Sequence, residues 1–254
     1  MTTGKNPVKG SSTSKRKEQQ ARRQKKQRQQ RLTTIAVIAV AAVAVVALFA
    51  APTVINAMRP VGEFVTITPE ARENVDGRAI GDPNAPVYVE VFEDFQCPRC
   101  GDYSRDIEPQ ILEKYAKDGS IYYIFRHYPF LDDTSGSQES DQSANASMCA
   151  MEQGKFWEYH DMLFANWNGE NLGAFRDKRL VAFAEALGLD MDAFNACFKE
   201  NKYASEIQED IAKVKNYNIT GTPTVIVNGV TVSPGFVPSV EQVSAAIESA
   251  LAGE

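Results

Sequence analysis

Val87-Tyr88-Val89-Glu90-Val91-Phe92-Glu93-Asp94-Phe95-Gln96-Cys97-Pro98-Arg99-Cys100 is the stretch that decides the fold. Its first six residues are β-branched or aromatic with one acid among them, the pattern of a buried strand. Beyond Cys100, Tyr103, Ile107, Ile111, Leu112 and Tyr115 recur at helical spacing. The Cys-x-x-Cys pair therefore stands where a strand hands over to a helix N-terminus. The first helical turn carries unpaired N–H groups and the positive end of the macrodipole, which favour a thiolate over a thiol. Pro98 fits there because its missing donor costs nothing in the first turn, and Arg99 adds a positive charge beside the sulfur. Cys97 is thus expected to have a depressed pKa. A pair whose reduced form is stabilised in this way is a stronger oxidant, so the chemistry leans towards donating disulfides.

Cys-x-x-Cys has two other readings. A structural zinc site normally needs a second Cys or His pair nearby, and Cys149, Cys197, His127 and His160 form no such spacing. A purely structural disulfide also stays open.

The 254 residues suit one ordinary domain with appendages. Charge divides the chain near residue 31: residues 1–31 carry 11 Lys or Arg and one acid, the remainder 16 basic and 32 acidic residues. Between Leu32 and Met58 there is no charged residue. Its apolar heart, about twenty residues, would span about 30 Å as a helix, the thickness of a bilayer's hydrocarbon core. The run is longer than the apolar region of a cleaved signal peptide, so an uncleaved anchor is favoured. The basic side is then expected in the cytoplasm and everything after Arg59 outside it, at the plasma membrane. The expected organisation is a disordered basic arm at 1–31, a transmembrane anchor at 32–58, a linker at 59–78 and a folded domain at 79–254. Within the linker, Phe64-Val65-Thr66-Ile67 reads as a short strand. The arm reads as a topology signal attracted to anionic lipid, and nucleic-acid binding is not expected.

Outside the cytoplasm disulfides persist. If Cys97 and Cys100 are the redox pair, Cys149–Cys197 is the economical remainder, closing a loop of about 49 residues and contributing roughly 4 kcal/mol. Two buried free thiols are the alternative.

After the first strand and helix comes a second strand at Ile121–Phe125 and a polar loop at Asp132–Ser137. Helical patterns follow at Asp141–Gln153, Lys155–Asn166, Arg176–Leu187, Met191–Asn201 and Ala204–Tyr217. Gly221-Thr222-Pro223 breaks the pattern before a strand at Thr224–Val227, an Asn228-Gly229 turn, a strand at Val230–Val232 and a serine-capped helix at Ser239–Leu251. Five separated segments make a family resemblance plain: Ile80-Gly81-Asp82-Pro83-Asn84-Ala85-Pro86, Phe92 to Cys100, Phe125-Arg126-His127-Tyr128-Pro129, Gly154-Lys155-Phe156-Trp157-Glu158 and Gly221-Thr222-Pro223-Thr224. From about Ile80 to Leu251 the chain resembles the DsbA-like thiol:disulfide oxidoreductases of the thioredoxin superfamily.

The resemblance implies an α/β thioredoxin fold, a mixed sheet flanked by helices, with a helical insertion at about 138–217. It implies Cys97 as the exposed nucleophile, Cys100 as the resolving thiol, Pro223 as the family's cis-proline and Thr222 as a substrate contact. The Pro98-Arg99 dipeptide differs from the Pro-His of the best-known member, and Thr rather than Val precedes the matched proline. Asp94 and Glu90 are candidates for proton transfer at Cys100, while His127 and His160 read as structural. No metal or organic cofactor is implied. The expected partners are reduced exported proteins and a membrane redox protein of the DsbB or vitamin K epoxide reductase type. The expected function is an anchored oxidase that introduces disulfides into exported proteins. A reductase or isomerase on the same scaffold, or a binding module for exported chains, are the alternatives.

Overall fold

The computed structural model describes residues 12–132 and 136–253, and they divide into two compact units, Met1–Pro60 and Val61–Glu254. The first unit is a single helix, α1 (Ser12–Met58). Its apolar part is long and apolar enough to cross a membrane, and side chains such as Leu48 and Phe49 are exposed within the protein. The basic stretch from residue 12 to 31 continues this helix rather than being disordered as expected. Lys, Arg, Gln and Ala are good helix formers, and a helix already nucleated by an adjacent run extends at little cost. Glu18 and Arg22 add an i,i+4 ion pair. The first eleven residues of the arm lie outside the described residues.

The second unit is built on a six-stranded sheet. Its strands are β1 (Val75–Asp76), β2 (Ala79–Gly81), β3 (Val87–Glu93), β4 (Ile121–His127), β5 (Thr224–Val227) and β6 (Val230–Val232), in the order β1-β2-β4-β3-β5-β6. β3 runs parallel to β4 and antiparallel to β5, and every other pairing is antiparallel. Being central and covered on both faces, β3 carries the near-continuous apolar run that such strands require. Asn228 and Gly229 both take positive φ, 46° and 85°, which the tight β5–β6 hairpin needs. The Asn228 side chain accepts from the Tyr88 N–H at 2.8 Å and so fastens the hairpin to β3.

After β3 come α2 (Pro98–Asp106), α3 (Glu108–Ile111) and a π-helical turn at Leu112–Ala116. The periodicity had implied one continuous helix. Pro109 supplies the reason for the break, since it removes a backbone donor and disfavours helical geometry in the residue before it. Between β4 and β5 lie α4 (Glu139–Met151), α5 (Phe156–Ala165), α6 (Asp177–Ala186), α7 (Met191–Lys199) and α8 (Ala204–Asn216). Of the polar loop, residues 133–135 lie outside the described residues. α9 (Val240–Ala252) ends the unit, capped reciprocally by Ser239 and Gln242.

Residues 61–78, expected to be a linker, belong to the folded unit. The Arg179 guanidinium donates to the Val61 and Glu63 carbonyls at 2.9 and 3.0 Å. Phe64 packs edge-on against Phe183, with ring centroids 5.1 Å apart. Residues 64–67 form no strand, because the Val65 backbone bonds the Asn166 side-chain amide in both directions instead of a neighbouring strand. Downstream, the same segment supplies β1 at the sheet edge.

The core lies on both faces of β3. Val87, Val89 and Val91 point towards Cys97, Cys100 and Tyr103, whereas Phe92 packs on the other face with Val214 and Ile219 of the α8 end. A Cys149–Cys197 bond joins α4 to α7.

Candidate functional site

Cys97 occupies the N-cap of α2 in extended conformation, with Pro98 in the first turn. Its carbonyl accepts from the N–H groups of Cys100 and Gly101 at 3.1 and 3.2 Å, which fixes both cysteines on one turn. Cys97 is 8% exposed and Cys100 is fully buried, and both are free thiols. The exposed member is thus the one an incoming sulfur can reach.

Across from this turn, the loop before β5 carries a cis Thr222–Pro223 bond. It sets the Thr222 carbonyl 3.4 Å from the Cys97 sulfur. The Thr222 hydroxyl is buried without a hydrogen-bond partner. Its place beside the pair makes it a donor available to a thiolate.

The two thiols differ sharply in proton affinity. The Cys97 thiol is brought down to about 6, first by a hydrogen bond from Cys100, and against burial by Thr222 and the backbone N–H groups of Cys100 and Arg99. Cys100 is pushed well above an ordinary thiol, first by burial and then by Cys97 and Glu93. Arg99 acts differently from the expectation. Its side chain is exposed and pairs with Asp102 at 3.3 Å, so its charge is screened by water and its backbone N–H is the group that reaches the sulfur.

The two proton-transfer candidates are both engaged elsewhere. Side chains alternate along a strand, so Glu90 shares the face of Tyr88 and Phe92, opposite to the cysteines. There it accepts from Arg126 at 2.7 Å, Tyr217 at 3.0 Å and Lys213 at 3.1 Å. Although burial works against it, Arg126 and Lys213 hold its carboxyl below the usual range. Asp94 lies beyond the strand and accepts from the Ser140 hydroxyl and from the Gln96 and Leu131 N–H groups, at 2.7, 2.8 and 3.1 Å. It ties the loop ahead of Cys97 to the start of α4, and burial lifts its carboxyl to about 7.

The acid that does face the pair is Glu93. It is 1% exposed, and neither carboxylate oxygen has a hydrogen-bond partner. Burial first, then the neighbouring Glu108 and Cys97, push its pKa well above the usual carboxylate range. The alternation that removes Glu90 brings Glu93 in with Val87, Val89 and Val91, so the signal was present in the strand pattern. Trp167 donates to the Gln96 carbonyl at 2.7 Å, next to Cys97. His127 is buried and held neutral, chiefly by burial. Among the described residues, no group of three or more His, Cys, Asp or Glu is placed to hold a metal ion.

A family model described as thioredoxin matches residues 73–249. The Na(+)/H(+) antiporter NhaA 1 of Salinispora arenicola is 36% identical over 173 residues, 68% of this chain and 24% of the antiporter. The chain therefore spans about a quarter of the length of the antiporters it matches. The probable disulfide bond formation protein D of Bacillus cereus is 26% identical over 165 residues, 63% of this chain and 73% of that protein. Among solved structures, oxidised BdbD from Bacillus subtilis superposes with a TM-score of 0.61 at 22% identity, covering 76% of this chain and 100% of its own. Alpha-DsbA1 from Wolbachia pipientis gives 0.58 at 25% identity, covering 69% and 91%. Because the family match extends over nearly all of the folded unit that carries the dithiol, the chain belongs to the thioredoxin family, in the DsbA-like form of its structural neighbours.

Proposed function

We propose that this chain is a membrane-anchored thiol:disulfide oxidoreductase, an oxidase that introduces disulfides into exported proteins through Cys97 and Cys100. The observation that carries the reading is the asymmetry of the pair, an accessible thiol brought down to about 6 beside a buried one pushed well above its ordinary value. α1 serves as the anchor, with its basic end in the cytoplasm and the catalytic unit outside.

The cycle starts with the Cys97–Cys100 disulfide. A substrate thiolate attacks the Cys97 sulfur, a new substrate–Cys97 bond forms, and Cys100 leaves as a thiolate. Buried Cys100 does not hold that charge and takes the proton of neutral Glu93. The substrate's second thiolate then attacks its own first sulfur, the substrate disulfide forms, and Cys97 leaves as a stable thiolate. Two electrons have moved from substrate to enzyme. The half-buried backbone at Thr222 is where an extended substrate segment would pair by backbone hydrogen bonds. Reoxidation passes the electron pair to the disulfide of a membrane redox protein of the DsbB or vitamin K epoxide reductase type. The transport activity in the antiporters' names is not carried over, since the match covers only 24% of the Salinispora arenicola protein.

The test uses the full chain in membranes with a reduced, unfolded exported protein. Cys97→Ser should reduce disulfide formation to the uncatalysed background, and undiminished formation would overturn the oxidase reading. Equilibration of the wild-type pair with glutathione separates the remaining alternative. A potential near that of thioredoxin would make the protein a reductase, and one well above the glutathione pool supports the oxidase.

A further inference from the structure

Gln96, the residue ahead of Cys97, is fully buried, and each of its polar groups is engaged. Its N–H donates to the Asp94 carboxylate at 2.8 Å, and its carbonyl accepts from the Trp167 indole at 2.7 Å. Its side-chain oxygen accepts from the Asn171 N–H at 2.6 Å, which fixes the orientation of the amide. Nε2 then faces Ser140 Oγ, Asn171 Oδ1 and Asp132 Oδ1 at 2.9, 3.1 and 3.2 Å. Asn171 thus clasps the Gln96 amide in both directions, from a left-handed φ of 58° that asparagine tolerates. One residue of the catalytic turn therefore holds the loop between α5 and α6 at two points, 167 and 171. The same loop is pinned further by Asn166, whose amide clasps the Val65 backbone, and by Glu139, whose oxygens accept from the Gly173 and Phe175 N–H groups at 2.8 Å each. A buried glutamine bonded in this way specifies one arrangement of turn against loop, where an apolar side chain of equal size would only fill the space.

The peptide that joins Gln96 to Cys97 is fastened along both edges, its carbonyl by the Trp167 indole and its N–H by the Asp94 carbonyl at 2.9 Å. The plane of that peptide sets the φ of Cys97, −76°, and with it the direction in which the side chain leaves the N-cap of α2. We propose that Trp167 and Gln96 are positioning residues that fix the Cys97 sulfur against the N-terminus of α2. The loop between α5 and α6, and not the strand-to-helix junction alone, then sets the geometry of the nucleophile. The proposal rests on the oxidoreductase reading above and deepens it at the same site. Neither side chain transfers a proton or an electron in the exchange steps. The groups that face the Cys97 sulfur are the Cys100 thiol, Thr222, the N–H groups of Cys100 and Arg99, and Glu93. Replacing Trp167 or Gln96 leaves all of them in the chain, so any change in the thiolate reports where the sulfur sits.

The test titrates the reduced full chain by its thiolate absorbance at 240 nm and measures the rate at which iodoacetamide alkylates Cys97. Trp167→Phe removes the indole donor and keeps a ring. It should raise the inflection by about half a pH unit and slow alkylation at pH 6 about twofold. Gln96→Met, close in size and without the amide, frees the turn from both loop contacts of the side chain. It should raise the inflection by about one pH unit and slow alkylation at pH 6 about fivefold. Phe194→Leu, in the packing of α7, should lower the Tm and leave the inflection in place. An inflection at the wild-type value in either Trp167→Phe or Gln96→Met, with cooperative thermal unfolding retained, would overturn the proposal, as would an equal shift in Phe194→Leu. Where Gln96→Met does not fold, Trp167→Phe decides alone. Such a failure, with substrate oxidation still requiring Cys97, leaves the oxidase reading standing, whereas loss of that requirement removes both.

Discussion

Cys97 and Cys100 sit on one helical turn at the end of a strand, whereas Cys149 and Cys197 stand 48 residues apart in sequence and join α4 to α7. Both pairs are largely sealed from water, so burial does not distinguish them. What differs is the surroundings. The first pair has the N–H groups of a helix N-terminus, the Thr222 hydroxyl and an acid beside it. Around the second, the Asn145 side-chain amide lies 4.0 Å from the Cys149 sulfur. A cysteine pair becomes a redox centre through groups that treat its two sulfurs unequally, and becomes a staple where nothing does.

The contrast can be broken from either side. Replacing Cys149 and Cys197 together by Ala should cost about 4 kcal/mol through the lost loop constraint. That lowers the Tm of the folded unit by about 10 °C and leaves the glutathione equilibrium of Cys97–Cys100 unmoved. A shifted equilibrium, with an unchanged Tm, would reverse the two assignments. At the other pair, the 240 nm absorbance of the reduced protein should titrate with an inflection at about 6. The folded pKa is depressed, so the reduced form gains stability above the ordinary thiol range and loses it as pH falls through about 6. The difference is on the order of 3 kcal/mol, readable by urea unfolding of the dithiol form at pH 9 and pH 5. An inflection near the ordinary thiol value would remove the asymmetry. The smallest effect is expected for Arg99→Ala, which should move that inflection by less than about half a pH unit, since the guanidinium is exposed and its backbone N–H survives. A larger shift would return the side chain to the role its sequence position implied.

The strand-to-helix dithiol, the thioredoxin fold and its DsbA-like form were all legible, because each rests on local pattern or on motifs whose spacing survives in one dimension. Asn228-Gly229 and the Ser239 cap were legible for the same reason. The docking of residues 61–78 was not, because it depends on Arg179, Asn166 and Phe183, about a hundred or more residues away along the chain. Composition described that segment as a linker and gave no sign of its partners. Gln96, Trp167 and Asn171 were hidden likewise, each innocuous alone and brought together only where the loop between α5 and α6 meets the catalytic turn. Glu90 and Asp94 were singled out for nearness in sequence, where the two-residue period of β3 pointed to Glu93.

That period gives β3 something like a reading frame. In frame, the strand presents three valines and one acid to the dithiol, while Glu90 meets the cations of β4 and α8 on the far side. Losing one residue between Val87 and Glu93 would leave the strand as apolar as before and still able to pair. It would also send the Glu93 carboxyl towards Arg126 and Lys213 and turn a phenyl ring to Cys100. A deletion invisible to hydropathy would then silence the chemistry while sparing the sheet.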